Sequence, residues 1–177
     1  MVNFQKIISI IKNYKKLSND LISNPDKVIQ VHETLSIYIT NEYHSLVKNN
    51  STLLGFVKLS NNTIHDIEYQ HIDLIYILPE FRNSRAIYRL LFYVKEYTST
   101  PIIADGAIFK DGQSIIQKFL TNNLARVSIL NKNTGEVSPF SGLVNDPDLC
   151  YIFESTMLGF GKQYLPESFT WYPLFNL

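Results

Sequence analysis

Cysteine is nearly absent from the sequence. Cys150 is the one cysteine among 177 residues, so an intramolecular disulfide and a cysteine-rich metal site are both excluded. Proteins without disulfides are typical of reducing compartments, and we therefore expect an intracellular, cytoplasmic chain. A lone thiol in such a chain is usually buried and unreactive, which is our prediction for Cys150.

Net charge and long apolar runs are also missing. Sixteen basic side chains balance sixteen acidic ones, so neither a nucleic acid nor an anionic membrane is indicated as a partner. No apolar run approaches the roughly 18 residues that a membrane-spanning helix needs. Lysines interrupt the apolar residues of the N-terminus, which argues against a signal peptide. A net charge of zero favours self-association, so one expected partner is a second copy of the chain.

The first half of the sequence predicts a helix followed by an antiparallel hairpin. Apolar residues recur at three- and four-residue steps from Phe4 to Leu21, which is the pattern of an amphipathic helix, and Asn24-Pro25-Asp26 ends it. Between residues 28 and 60, β-branched and aromatic residues alternate with polar ones, as in strands. The polar segments 49–51 and 61–62 predict two turns, with residues 53–59 as the second arm of the hairpin.

The second half alternates strands with helices. The predicted elements are a strand at 71–78, a helix at 86–97, a strand at 101–108, a helix at 113–123 and a strand at 125–130. Strands joined through a helix need a crossover connection and some parallel pairing. We therefore predict an α/β (α+β) fold with a mixed, mostly antiparallel central sheet flanked by helices, in a single domain of residues 1–177.

The segment from Ile75 to Leu91 carries the most specific pattern in the chain. A strand ends in Ile77-Leu78-Pro79-Glu80-Phe81-Arg82, and a helix with the pair Leu90-Leu91 follows. This order and spacing resembles the central motif of the GNAT family of acetyl-CoA-dependent N-acyltransferases, and the resemblance covers residues 30–130. The family motif continues as Gly-x-Gly-x-Gly or Ala, whereas the three glycine positions here hold Asn83, Arg85 and Ile87.

The resemblance implies a GNAT-like fold that binds acyl-CoA, in the first place acetyl-CoA, together with an unidentified amine acceptor. The strand backbone at Ile75, Tyr76 and Ile77 would then pair with the pantetheine arm. Free N–H groups and the positive end of the helix dipole favour an anion just after the strand. The residues expected to hold the pyrophosphate there are Arg82, Asn83, Ser84, Arg85, Ala86 and Ile87. The side chains at 83, 85 and 87 obstruct this approach unless they point away, and Arg82 and Arg85 would compensate by pairing with phosphate.

Two positions bear on proton transfer. The resemblance places His71 where some relatives carry a carboxylate general base, and Asp73 lies on the same strand face because side chains alternate with period two. An imidazole of ordinary pKa suits that role, with Glu68 and Tyr76 as weaker candidates; the alternative is a hydrogen-bonded histidine at a strand entrance. Phe119 stands where many relatives have the tyrosine that protonates the leaving thiolate, and phenylalanine has no proton to give.

Two functions remain open from the sequence, and we prefer the first because the order strand, Pro79, Phe81, Arg82 and helix matches the family motif in register. The first is an N-acyltransferase without a metal, because His65-Asp66 and His71-x-Asp73 lack a third ligand at a standard spacing. The second is a catalytically inactive GNAT-like module used for binding or assembly. The altered glycine positions, Phe119 and the zero net charge favour the second reading. So does the aromatic tail at 164–175, which would dock on a protein partner.

Overall fold

The computed structural model describes residues 14–82, 86–98, 100–106 and 126–154, together with Gln113 and Gln117. Its regular elements, in chain order, are α1 (Tyr14–Ser23), β1 (Lys27–Gln30), β2 (Leu35–Thr40), β3 (Tyr43–Lys48), β4 (Thr52–Ile64), β5 (Ile67–Ile77), a 3₁₀ turn (Pro79–Phe81), α2 (Ala86–Tyr97), β6 (Ile102–Asp105), β7 (Arg126–Asn131), β8 (Val137–Pro139) and β9 (Leu149–Glu154).

The described strands form one mixed sheet. Their spatial order is β1-β2-β3-β4-β5-β6-β9-β7-β8. Strands β5 and β6 pair in parallel, and every other neighbouring pair is antiparallel. The parallel pair is the one whose connection contains α2, as a crossover requires. The predicted mixed, mostly antiparallel sheet is therefore confirmed.

The two described helices cover opposite faces of the sheet. Helix α2 packs on β2 to β5, where the buried Leu90 and Val94 join a core cluster with Leu46 and Val57. Helix α1 buries Leu21 in a second cluster on the other face. Adjacent strand residues such as Leu46 and Val47 belong to different clusters because successive side chains point to opposite faces. Neither described helix is long and apolar enough to cross a bilayer.

The helix predictions are confirmed where the structure describes them. Helix α2 has the predicted bounds, and α1 ends two residues before Pro25. Residues 4–13 of the predicted N-terminal helix lie outside the described residues. Of the helix predicted at 113–123, only Gln113 and Gln117 are described, and both are helical.

One predicted turn is wrong. Asn61 and Asn62 lie inside β4, opposite Gln70 and Tyr69 of β5. The chain reverses instead at His65 and Asp66, both of which have positive φ angles, of 47° and 63°. Two positive φ values suit the tight turn between twisted antiparallel strands, and aspartate tolerates this conformation. The β4–β5 hairpin is therefore longer than predicted, and β5 begins at Ile67 rather than at residue 71.

Two further hairpins were not predicted. The alternating segment between residues 28 and 48 contains three strands, because the chain reverses between β1 and β2 and again between β2 and β3, at Asn41 and Glu42. Asn41 has a φ of 51°, and its N–H donates to the Asp26 carboxylate at 2.7 Å. Asparagine tolerates the left-handed conformation that this turn requires. Strands β6 and β7 lie in the regions predicted at 101–108 and 125–130, and β6 ends at Asp105.

Candidate functional site

Strand β5 contains a bulge at Asp73. Ile72 pairs with Leu59 and Leu74 pairs with Lys58, so Asp73 is one extra residue in β5. Ile72 and Ile75 both pack on the α2 side, whereas Leu74 packs on the α1 side. The extra residue therefore places Asp73 and Leu74 on the same face of the sheet. This irregularity lies two residues before Ile75, where the segment with the most specific sequence pattern begins.

Strands β5 and β6 separate just before the bulge. Their only register pairs within the described part of the chain are Gln70 with Ile102 and His71 with Ile103. Strand β5 nevertheless continues for six residues beyond His71, and β6 continues to Asp105 with its other edge paired to β9. The two strands therefore bound a gap, which we call the β5–β6 cleft.

Backbone groups of β5 face this cleft. The Leu78 N–H donates to Leu54 O of β4 at 3.1 Å. Because backbone groups alternate in direction along a strand, Tyr76 also turns toward β4, while Ile75 and Ile77 turn their N–H and C=O groups toward the cleft. No strand in the described part of the chain pairs with this edge beyond Ile72. An apolar pocket beside the point of separation is lined by Ile72, Leu91, Lys95, Ile102 and Phe153.

The far end of the cleft leads into the turn before α2. Pro79–Phe81 form a 3₁₀ turn, after which the exposed Arg82 donates from Nε to Ile77 O at 3.5 Å. The Ala86 side chain is buried in the core, so only its backbone could contact an anion. Asn83, Ser84 and Arg85 lie outside the described residues, as does the side chain of Ile87. Phe119, which stands at the family's tyrosine position, also lies outside the described residues.

The structure brings His71 and Asp73 together as predicted for one strand face. His71 Nδ1 lies 2.9 Å from Asp73 Oδ1, and Ser60 Oγ donates to the same carboxylate oxygen at 2.8 Å. Lys58 Nζ lies 3.9 Å from the other carboxylate oxygen and 3.0 Å from the carboxylate of Glu42. These contacts fit the predicted catalytic role of His71. They also fit the alternative, a hydrogen-bonded histidine at a strand entrance.

Sequence analysis missed a third member of this group, Asp105. His71 Nε2 reaches across the β5–β6 gap to Asp105 Oδ1 at 3.3 Å. The same oxygen lies 3.4 Å from Lys132 Nζ and 3.9 Å from Cys150 Sγ. Asp105 lies inside the strand predicted at 101–108, but its alignment with His71 depends on the parallel register, which no local pattern indicates. The result is a row of alternating charges across the sheet: Glu42, Lys58, Asp73, His71, Asp105 and Lys132.

The electrostatics of the group favour a charged imidazole. The hydrogen bond with Asp105 raises the pKa of His71, a rise that burial opposes and that Asp73 reinforces. The hydrogen bond with His71 in turn lowers the pKa of Asp105 to about 2. His71 is thus a stronger base than the free imidazole that the sequence suggested, and it is more protonated at neutral pH.

Other reactive groups in the described part of the chain include Cys150, His44 and His65. Cys150 is buried, as predicted, and burial raises the pKa of its thiol to about 11. Burial lowers the pKa of His44, which lies on β3. His65 lies in the β4–β5 turn, with Nε2 3.1 Å from Asn133 O. Among the residues that the structure describes, no group of histidine, cysteine, aspartate and glutamate is arranged to hold a metal ion.

Fold and site together define an α/β protein with a split parallel strand pair and a histidine between two carboxylates. No family model matches the chain, and no curated protein is similar to it in sequence. Among solved structures, one that resembles it is a protein from Bacteroides thetaiotaomicron assigned to the GNAT family of acetyltransferases. The two are 10% identical, over 84% of this chain and 83% of that one, with a TM-score of 0.42. A likeness of this degree carries no inference about chemistry.

Proposed function

We propose that the protein is an N-acyltransferase that moves an acetyl or other acyl group from acyl-CoA to an amine acceptor. The observation that carries the proposal is the β5–β6 cleft, with strand backbone facing it and His71 beside its closed end. A pantetheine arm is extended and contains two amides. Such a chain can pair with the free edge of a strand as an added strand does. Ile75 and Ile77 supply the donors and acceptors for that pairing.

The open end of the cleft suits the phosphates of coenzyme A. Strand β5 passes through the 3₁₀ turn to Arg82, and α2 begins at Ala86. The first N–H groups of a helix and its dipole favour an anion, and a guanidinium pairs well with phosphate. Arg82 is exposed and already reaches back to Ile77 O, so it lies at the entrance of the cleft. Both features support a phosphate site there.

His71 is the proposed general base. The amine nitrogen attacks the thioester carbonyl carbon, the C–N bond forms, and the C–S bond breaks with its electron pair leaving on the thiolate. His71 takes the proton that the nitrogen loses, and Asp73 keeps the ring oriented through Nδ1. Phe119 has no proton to give, so solvent protonates the thiolate.

Thermal unfolding with acetyl-CoA tests the proposal. A ligand at about 100 times its Kd stabilises the folded state by about 2.7 kcal/mol. For a chain of this size that free energy corresponds to a rise in Tm of about 5–10 °C. Absence of any rise at millimolar acetyl-CoA would contradict the proposal and favour the inactive module.

The variant Arg82→Gln sharpens the same experiment. Hydrogen bonds to charged groups contribute about 1.5–3 kcal/mol, so we expect acetyl-CoA to bind about 10- to 100-fold more weakly. Lys27→Gln is the matched control, because Lys27 is an exposed cation on β1, at an edge of the sheet and four strands away from β5. Equal affinities in the two variants would remove Arg82 from the phosphate site.

A further inference from the structure

The two nitrogens of His71 are held in different ways. Nδ1 lies 2.9 Å from Asp73, whose carboxylate is fixed in turn by Ser60 Oγ at 2.8 Å and lies in the bulge of the same strand. Nε2 lies 3.3 Å from Asp105, on the other side of the gap. The contact of Nδ1 with Asp73 is therefore the shorter of the two, and Ser60 holds the Asp73 carboxylate in place. The contact of Nε2 with Asp105 is longer.

Asp105 also has competing partners. Its Oδ1 is 3.4 Å from Lys132 Nζ, nearly the same distance as from His71 Nε2. The carboxylate lies at the end of β6, and 41% of its side chain is exposed, against 18% for His71. The terminal torsion of an aspartate is broad, so a partly exposed carboxylate that two cations share can turn away from one of them and keep the other as its partner.

We propose that Asp105 is a positioning residue that holds the Nε2–H of the protonated His71 and releases Nε2 to the acceptor amine by turning to Lys132. Asp73 keeps the remaining proton on Nδ1 throughout. The lone pair of the amine nitrogen forms the new C–N bond, and the C–S bond breaks with its electron pair leaving on the thiolate. The proton that the nitrogen loses bonds to the lone pair of Nε2, and the electron pair of the N–H bond stays on the nitrogen. Asp105 then accepts the Nε2–H hydrogen bond again. This proposal rests on the proposed function.

Several charged and titratable groups lie near His71 in the described part of the chain. They include Lys58 from β4, Tyr69 and Asp73 from β5, Asp105 from β6, Cys150 from β9 and Lys132 after β7, with Glu42 and Tyr43 next to Lys58. Asp105 and Lys132 act on His71 in opposite directions. Asp105 stabilises the imidazolium, whereas Lys132 draws Asp105 away and repels the ring charge.

Two variants that should shift the pKa of His71 in opposite directions therefore test the proposal. We expect Asp105→Asn to lower the pKa of His71, measured by NMR titration of ¹⁵N-labelled imidazole with His71→Gln to assign the signal. Lys132→Met should raise it. In both variants the neutral ring should carry its proton on Nδ1, whereas Asp73→Asn should lose that preference. Shifts of the same sign in the two variants, or a neutral ring in the unaltered protein that carries its proton on Nε2 rather than on Nδ1, would overturn the arrangement.

The pH dependence of the acyl-transfer rate tests whether the hydrogen bonds of His71 matter for catalysis. The base form of His71 is required, so kcat/KM rises with pH through the pKa of His71, and this rise should move to lower pH in Asp105→Asn and to higher pH in Lys132→Met. A merely structural role would lower the rate equally at every pH, which would overturn the proposal. If the NMR shifts appear but acetyl-CoA fails to bind, the proposed function fails, and with it the catalytic part of this inference; the hydrogen-bond arrangement stands.

Discussion

Replacing His71 with glutamine should lower kcat for acyl transfer by about 10²- to 10⁴-fold, the usual contribution of a general base. Affinity for acetyl-CoA should stay nearly unchanged, because the proposed contacts of the pantetheine arm and phosphates are with Ile75, Ile77 and Arg82. The measurement is release of the free CoA thiol with a panel of primary amines, using the acceptor that the unaltered protein turns over fastest.

The control for this experiment is His65→Gln. His65 lies in the β4–β5 turn and contacts Asn133 O rather than the charged row. Its replacement should leave kcat unchanged. Equal turnover in the His71 variant and the unaltered protein would exclude His71 from the mechanism. A large loss in both variants would show that the effect comes from the fold of the hairpin.

Gly55→Ala should destabilise the fold by about 1–3 kcal/mol, as overpacking of a tight contact usually does. Gly55 of β4 pairs with Ile77 of β5. A methyl carbon at position 55 would lie 2.6 Å from Tyr76 O and 3.1 Å from Ile77 Cα. These are backbone atoms, so β5 must shift where it leads into Pro79. Urea unfolding gives the loss of free energy directly.

The matched control is Thr63→Ala, at an exposed position of the same strand. Replacing an exposed side chain away from special contacts changes stability by roughly 0.5 kcal/mol or less. Because the shift at Ile77 displaces one wall of the cleft, Gly55→Ala should also bind acetyl-CoA more weakly. Unchanged stability at position 55 would mean that β4 and β5 are packed less closely there than the structure shows.

Local sequence patterns predicted the elements that depend on local physics. The α2 bounds follow from the spacing of apolar residues such as Leu90 and Val94, and the strand end follows from Pro79. The mixed sheet followed from the alternation of strands and helices, because crossovers require parallel pairing. His71 and Asp73 were placed on one face by the period of a strand, and their hydrogen bond confirms that placement.

Features that depend on pairing between distant segments could not be predicted. The bulge at Asp73 arises from the register of β5 against β4. An aspartate in a strand does not by itself indicate a bulge. Asp105 reaches His71 through the parallel register of β6, across 34 positions of sequence. The turn at His65 and Asp66 was missed because Asn61-Asn62 is the stronger turn pattern, although tertiary pairing places that pair inside a strand.

The central claim is that the β5–β6 cleft receives an acyl-pantetheine arm along the edge of β5. Amide NMR of the ¹⁵N-labelled protein, recorded with and without acetyl-CoA, tests it most directly. We expect the largest shifts at the amides of Ile75 and Ile77, and none at Ile29 on the distant β1. Shifts concentrated on β1 and β2, or no shift at any amide with millimolar acetyl-CoA, would contradict the claim.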